Sequence, residues 1–538
     1  MSKEILNPVP GLAARHQQSG KTYVDRVLQA LLLVNLAALV LYICLSYKFG
    51  FHSDSAASNL LAHEIGETGS YFPVDWNYVN GDLWVLSVHT WLLPFLPFMS
   101  NGYALHALGG LISAALVMAG TWCLCRTLGL SSRARLVTLA LIASGFSANM
   151  SENLFGQQAY GTIYFLGCFL LCTSHAFLYS KRQPAAVWAL ASFVLLVLAA
   201  WSNPMRAAIY NVLPVVAAAV WCHLAPRLQG PKPGAAKLGA LLCIVVGACY
   251  VGALLHAYFL ARGHSALSSV SINWLPFKDM GRNAGAALQG SFSLLSGLPA
   301  PGQPVANVRG MFDAVRLCAG AALLFVSGWA LLRILGSVHP GRLFIGVATL
   351  AAIGSNLFIF LTTTLPFVET PESSIRYLVP ALLGMMVLLV AVVVDDRLAP
   401  AAKRYVGAIA IAVIALTAPM AYELTGLTDH ASLRDMNNAN QNVRLANFLL
   451  DNKLEYGYAT FWNAGRTTVL AKNVVKVRNI ELANGLPRPM RHLSSDRWYQ
   501  PGSWSGQSFL MLTKEELDAV KWPELRRLTG EPLRTLDF

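Results

Sequence analysis

The chain has 538 residues, of which 55% are hydrophobic and only 12% charged, with a mean hydropathy of +0.49. A soluble domain carries roughly 25% charged residues, so this chain cannot cover itself with polar surface in water; the composition excludes disorder, a collagen-like fibre and an ordinary cytosolic enzyme. The formal net charge of +13 raises nucleic-acid binding as a question, and the placement of the charges answers it.

Eleven apolar spans are predicted, at 27–47, 104–124, 137–150, 159–180, 185–202, 207–225, 238–260, 314–332, 343–361, 377–394 and 405–422. Most reach the ~20 residues needed to cross ~30 Å of hydrocarbon; the third is short enough to be tilted or partly re-entrant. The fold class predicted is therefore mainly α, a polytopic membrane protein with about 11 transmembrane helices. The segments on the side of the N-terminus (1–26, 125–136, 181–184, 226–237, 333–342 and 395–404) hold 17 of the 40 Lys and Arg, the opposite loops 8 and the tail after residue 422 the other 15. Arg316, at the very start of the span 314–332, is counted with the edge of the fourth outer loop, and apart from it the spans hold no Asp, Glu, Lys or Arg. Short basic loops mark the cytoplasmic face, so residues 1–26 are expected in the cytoplasm and the tail 423–538 outside. That corresponds to the cytoplasmic (inner) membrane and the periplasm of a Gram-negative bacterium. The net charge then reads as an orientation signal, and no nucleic-acid partner is expected. No cleavable signal peptide is expected, because 26 residues precede a first run long enough to span. All nine cysteines lie in or beside spans, which leaves no disulfide framework outside.

Within 27–422 the outer face carries two long loops, 48–103 and 261–313, whereas the cytoplasmic loops are short; the work is expected outside. In the first loop a helix capped by Ser53-Asp54 is predicted through Ala56, Leu60, Leu61 and Ile65. A second, interfacial helix is predicted from Leu83 to Leu93, with Trp84 and Trp91 at headgroup level, and both helices are expected to lie on the membrane as a roof. The tail reads as a small α/β unit: a helix over 438–450, strands over 456–462, 474–480 and 508–512, then a helix opened by Thr513.

The ionisable candidates cluster at outer span ends. Asp54 can serve as a general base facing an outer cavity or cap its helix. Glu152 sits in a polar knot with Gln157, Gln158 and Tyr160, where a tight turn would suffice, and reads as a functional carboxylate or a plain polar turn. Arg206, without an acidic neighbour in sequence, and Arg376 stand where a planar guanidinium can meet phosphate or merely reach the interface. Lys278, with Asp279 and Arg282, offers a second anion contact or a solvated loop. Single histidines without paired spacing support no metal site, and no phosphate-binding glycine loop appears; neither metal nor cofactor is expected.

This pattern resembles the GT-C glycosyltransferases, integral membrane enzymes that use a polyprenyl-phosphate sugar donor. The resemblance rests on the architecture and on three local features: Asp54 just after the first span, the acidic short loop with Glu152, and the string Arg376-Tyr377-Leu378-x-Pro380 opening a late span. It departs from the family where Ser55 follows Asp54 in place of a second acid. No WWDxG-like string stands in the tail, which argues against N-glycosylation of protein. The resemblance implies transfer with inversion, Asp54 and Glu152 acting on the acceptor, and Arg206, Arg376, Tyr377 and Lys278 around the donor phosphate. A glycan, lipid (lipopolysaccharide included) or protein acceptor is implied. The alternatives are an O-antigen polymerase or ligase, and a transporter or flippase.

Overall fold

A computed structural model of the protein describes residues 10–180, 185–225, 232–263, 272–299, 301–367, 370–396, 399–430 and 432–538. In chain order the helices of the apolar region are α1 (Pro10–Leu41, carried on through a π turn to Gly50), α2 (Ser53–Thr68), α3 (Val88–Leu92), α4 (Tyr103–Thr127), α5 (Ser132–Ala143), α6 (Ala159–Tyr179), α7 (Ala185–Ser202) and α8 (Leu213–Leu224). They continue with α9 (Ala235–Arg262), α10 (Met280–Leu295), α11 (Val308–Leu335), α12 (Pro340–Thr362), α13 (Val379–Val390) and α14 (Ala401–Leu416). Among the described residues nine helical segments are long and apolar enough to span a membrane.

Two of the eleven predicted spans fall short of that. The third is α5, 12 residues long, and the eleventh is α14, 16 residues long. The chain breaks after α5 because Gly145 and Phe146 both take left-handed backbone angles (φ +68° and +59°). A side chain at Gly145 would overlap Ser151 and the Tyr422 ring, so the residue is bound to glycine by space as well as by angle. α14 stops at Thr417, ahead of Pro419.

Arg316 corrects the sequence reading, which left it at a loop edge. It is a buried residue of α11, 5% exposed. Its Nε donates to the Ser296 carbonyl at 3.1 Å, and its two Nη donate to the carbonyls of Thr417 and Phe146 and to the Thr417 hydroxyl. Those carbonyls belong to the break after α5, the end of α10 and the end of α14. Helix ends leave unsatisfied carbonyls with partial negative charge, and one guanidinium collects all three. Gly320, one turn on, lets α11 approach this knot: a Cβ there would fall 2.6 Å from Ser296 Cβ.

The bundle has two chemically distinct ends. At one, Arg133 pairs with Asp25 (2.6 Å), Arg333 with Asp396 (2.6 Å), and Ser131 bonds Asp395. These residues fall in the basic segments that the charge count places together. The opposite end receives α2, α3, α10 and the tail.

The outer elements differ from expectation. α2 forms, but 11 of its 16 residues are buried, because its Ala and Ser faces are packed on both sides. It is an inner layer and not a helix lying on a membrane. The residue in the N-cap position is His52, which puts Asp54 in the first turn. The interfacial helix predicted over 83–93 shrinks to Val88–Leu92: Trp84 takes a left-handed φ of 50°, and Leu83 is tied to the Ser202 carbonyl at 3.0 Å. α10, inside the fourth outer loop, was not anticipated.

The tail has a four-stranded sheet of order β3-β2-β1-β4, with β1 (Tyr456–Thr460), β2 (Lys476–Ala483), β3 (Leu486–Pro489) and β4 (Phe509–Met511). β1 is parallel to β2 and β4, while β2 pairs antiparallel with β3. The predicted first strand ends two residues early, and α16 (Phe461–Leu470) follows it directly. The helix predicted over 438–450 is α15 (Gln441–Asp451), capped by Asn440, whose side chain accepts from the amides of Asn442 and Val443.

Glu64 fastens the tail to α2. Its carboxylate is buried and accepts from Ser495 Oγ (2.7 Å), Arg497 Nη1 (3.0 Å) and Trp498 Nε1 (3.0 Å). Trp76, fully buried, meets Trp498 edge-on at 5.8 Å. One turn after Glu64, Glu67 binds His63 (3.0 Å) and approaches Arg497 (3.7 Å). The hydrogen bond from His63, more than any other cause, lowers the Glu67 carboxyl to about 2.

Replacing Glu64 with Ala strands three donors, and loss of one member of a buried charged set costs about 3 kcal/mol. Limited proteolysis should release the tail faster in Glu64→Ala while the spans stay protected; an unchanged cleavage rate would contradict this anchor. The Glu67 contribution is complete above the ordinary carboxyl range and fades as pH falls toward 2, since the folded form holds the lower pKa. The unfolding midpoint in detergent should accordingly fall with acid over that window, and Glu67→Gln should flatten the fall.

Candidate functional site

The segment after α1 turns sharply into α2, and the side chains at that turn meet the polar knot of the third loop. His52 Nε2 lies 2.8 Å from Glu152 Oε1 and 3.5 Å from Ser55 Oγ, and Tyr47 OH lies 2.5 Å from Ser55 Oγ. Phe51, buried beneath them, packs edge-on against Tyr103 (5.3 Å) and His106 (4.9 Å) and fixes the turn. Glu152 stands at the start of a π turn, Glu152–Gly156, with its side chain 44% exposed. Ser147 starts this arm by accepting from the Met150 amide at 3.0 Å. Asp54 and Glu152 both act electrostatically on Tyr47, so the two predicted carboxylates belong to one cluster.

The tail closes over this cluster. α16 packs on α2: the Arg466 amide donates to Ser53 Oγ at 3.4 Å, and the Trp462 ring meets His52 edge-on at 6.1 Å. Arg466 Nη2 is bonded to Asn463 Oδ1 at 2.5 Å. Burial holds the Arg466 guanidinium below its ordinary range. His492 faces Phe461 at 4.8 Å and lies within the field of Asp54. Burial lowers the His492 imidazole, and the Asp54 charge only partly offsets this.

A second cluster gathers cations and phenols. Arg206 Nη1 pairs with Asp82 Oδ2 at 2.9 Å, and Asn203 Nδ2 donates to Asp82 Oδ1 at 2.6 Å. Burial raises the Asp82 carboxyl, with Arg206 and Asn203 opposing. Tyr210 OH donates to the Tyr377 carbonyl at 2.8 Å, and the Tyr377 ring meets Tyr160 edge-on at 5.9 Å. Tyr160 lies within electrostatic reach of Arg376, Arg206, Tyr377 and Asp82, and Arg376 Nη1 donates to Ser373 Oγ at 3.4 Å.

Asp54 and Glu152 are thus brought together, and so, separately, are Arg206, Arg376 and Tyr377. Lys278 is not brought in: it is exposed on the turn Phe277–Asp279, beside Thr362–Thr364, and among the described residues no hydrogen bond or ion pair joins it to either cluster. Its segment is stitched to the end of α12 (Leu275 amide to Thr362 carbonyl, 2.8 Å), which directs it elsewhere. His52 escaped the sequence reading although it stands two residues before Asp54. Asp82 was visible only as one acid among several in the loop. Trp462, Arg466 and His492 carry no sequence signal linking them to Asp54. Chemically, the first cluster can accept a proton and the second can hold an anion.

No family model and no curated protein matches the chain. Two solved structures of the Archaeoglobus fulgidus oligosaccharyltransferase are similar to it. One, tethered to an acceptor peptide containing the NVT sequon, is 12% identical over 84% of this chain and 63% of that one, with a TM-score of 0.41. The other, in complex with Zn and sulfate, is 12% identical over 83% of this chain and 62% of that one, with a TM-score of 0.39. The chain spans less than two thirds of the length of that protein.

The Asp82–Arg206 contact sets a test of the second cluster. Asp82→Asn and Arg206→Gln should each lower the unfolding midpoint in detergent. The double variant should be better than additive by about 1–2 kcal/mol, as for residues in direct contact; strictly additive losses would show the pair to be uncoupled.

Proposed function

We propose that the protein is a membrane glycosyltransferase of the GT-C kind, moving a sugar from a polyprenyl-phosphate donor to an acceptor hydroxyl, with inversion, on the outer face of the cytoplasmic membrane. One observation carries the reading: loop 48–103 delivers Asp54 to the His52–Glu152 pair and Asp82 to Arg206 near Arg376 and Tyr377, at the end of the bundle opposite its basic ion pairs. Proton acceptance and anion binding at one membrane boundary are what such a transfer needs.

The acceptor oxygen attacks the anomeric carbon while the bond from that carbon to the phosphate oxygen breaks. The acceptor proton passes to Asp54, with His52 and Glu152 holding the surrounding polar groups in place. The electron pair leaves with the phosphate, which becomes a monoester on the lipid. Arg206 and Arg376 meet the charge it gains, and the phenols of Tyr160 and Tyr377 stand beside them. No nucleotide is consumed, because the donor bond already carries the activation. The tail covers the proton-accepting cluster and limits access of water to it. The basic end faces the cytoplasm, and the tail faces the periplasm in a Gram-negative host.

Asp54→Asn keeps the size of the side chain and removes its basicity. Transfer from a polyprenyl-phosphate sugar by the purified variant should drop by about 10²–10⁴-fold, the usual worth of a positioned base, with the unfolding midpoint preserved. Near-normal turnover would remove Asp54 as the base. Arg376→Ala should raise the KM for donor by about tenfold or more, as loss of a charge-assisted phosphate contact does. An unchanged KM would take Arg376 out of the phosphate site.

A further inference from the structure

Between α10 and α11 runs an apolar groove of about 480 Å³, walled by Gly285, Leu288, Phe292, Leu317, Cys318 and Ala321. It opens sideways: Leu288 is 45% exposed and Cys318 is exposed. Leu298 forms part of this wall and also part of the wall of a second cavity, of about 610 Å³ and opposite character. That cavity lies where the end of α1, Ser147–Ala148, the first turns of α11 and residues 420–430 converge. Its polar lining includes Arg309, Asp313, Arg316, Glu423 and His430.

The charges in the cavity balance and are largely engaged. Arg309 Nε is bonded to Asp313 Oδ2 at 3.3 Å, and all three Arg316 nitrogens donate to the knot of helix-end carbonyls. Arg206 and Arg376 face the single carboxylate of Asp82 and keep a net positive charge, whereas here Asp313 and Glu423 offset both guanidinium groups, so a phosphate entering this cavity meets no net attraction. A hydroxyl-bearing head would find those same carboxylates ready to accept. Phe49 and His430, stacked at 6.1 Å with planes 5° apart, add an apolar side to the same cavity, suited to the carbon face of a sugar ring.

We propose that groove and cavity together bind a glycolipid, its chain along α10 and α11 and its uncharged, hydroxyl-rich head in the polar cavity, and that this lipid is the acceptor. The last clause rests on the glycosyltransfer reading; the binding site itself does not. The placement suits an acceptor, since Phe49 precedes His52 by three residues and Ala148 precedes Glu152 by four. The cavity wall therefore leads into the proton-accepting cluster along two chain segments. The anionic donor is left to the cluster of Arg206 and Arg376.

The test uses the full-length protein in phosphatidylcholine nanodiscs. Monoglucosyldiacylglycerol with a diazirine on its acyl chain is compared with phosphatidylglycerol carrying the same chain. Illumination should label the peptides spanning 285–292 and 317–321 about fivefold more with the glucolipid, a ratio that modest head-group discrimination produces. Ala321→Trp should abolish most of that labelling. Leu288→Asp, on the exposed side of the groove where packing is not disturbed, should do the same, and Asp313→Asn should reduce the preference for the glucolipid. Equal labelling by the two lipids, a preference for phosphatidylglycerol, or labelling unchanged in both groove variants would overturn the site. Labelling needs no turnover, so Asp54→Asn should label normally. Loss of labelling preference with Asp54 still essential removes the acceptor site alone, whereas normal labelling with a fully active Asp54→Asn removes the base and leaves the lipid site standing.

Discussion

Three helices end together at the far end of the bundle, and a buried helix-end carbonyl left without a donor costs about 1–3 kcal/mol. Arg316 meets this cost at a single point, donating to the carbonyls of Phe146, Ser296 and Thr417. A guanidinium suits the task because its donors fan out in a plane toward separate acceptors. The consequences spread outward from that knot. The break at Gly145–Phe146 frees the arm that carries Glu152 toward His52. The end of α10 at Ser296 forms the corner between groove and cavity, and the end of α14 at Thr417 releases the chain into the tail. A buried cation in a span is by default a functional residue of a channel or pump; here its partners are helix ends, and its role is architectural.

The tail is held by another buried charge, and the two devices differ in kind. Glu64 takes three donors from the 495–498 stretch onto a helix whose other side packs in the bundle. α2 is thus the shared layer, with spans beneath and α16 above. Gly465 lies on this contact face, where a Cβ would stand in ordinary van der Waals contact with Leu60 and Ser53 at 3.4–3.5 Å. Holding α16 that close brings Trp462 and Arg466 to the turn at His52–Asp54. The covering of the candidate site is therefore a direct result of how the tail is docked.

Much of the fold was legible because hydrocarbon imposes simple demands: apolar runs of fixed length and basic loops on one side recover nearly all the crossings. The runs that failed did so for local reasons. α5 and α14 end at a left-handed Gly-Phe pair and at a threonine before a proline, signals that averaged hydropathy overlooks. Arg316 escaped because a spanning helix can begin well before its long hydrophobic run, as α11 does at Val308. The site was half legible. Asp54, Glu152, Arg206 and Arg376 stood out because charge is scarce near spans, Tyr377 only through the string it shares with Arg376, and the structure sorts them into two clusters. Their partners did not: Asp82 reaches Arg206 from 124 residues away, and His492 nears Asp54 only through the docking of the tail. Lys278 shared the scarcity argument but sits on the turn Phe277–Asp279, just after a segment stitched to the end of α12, which no local pattern encodes.

The far end of the bundle is divided by charge, and a single loop borders each division. Near Phe49 the chain lines a cavity whose cations are already engaged; at His52–Asp54 it forms a proton-accepting turn; at Asp82 it balances Arg206 beside the phenols of Tyr160 and Tyr377. A reaction joining an uncharged hydroxyl to a sugar on phosphate needs this order. A carboxylate base loses basicity when guanidinium groups crowd it, and a leaving phosphate loses stabilisation when carboxylates do. On the proposed reading, placing the proton acceptor between a charge-balanced cavity and a cation-bearing cluster, on one continuous segment, would give each substrate an approach suited to its own charge. Because the tail rests on that same segment, any movement of α16 against α2 would be felt first at the turn where the two approaches meet.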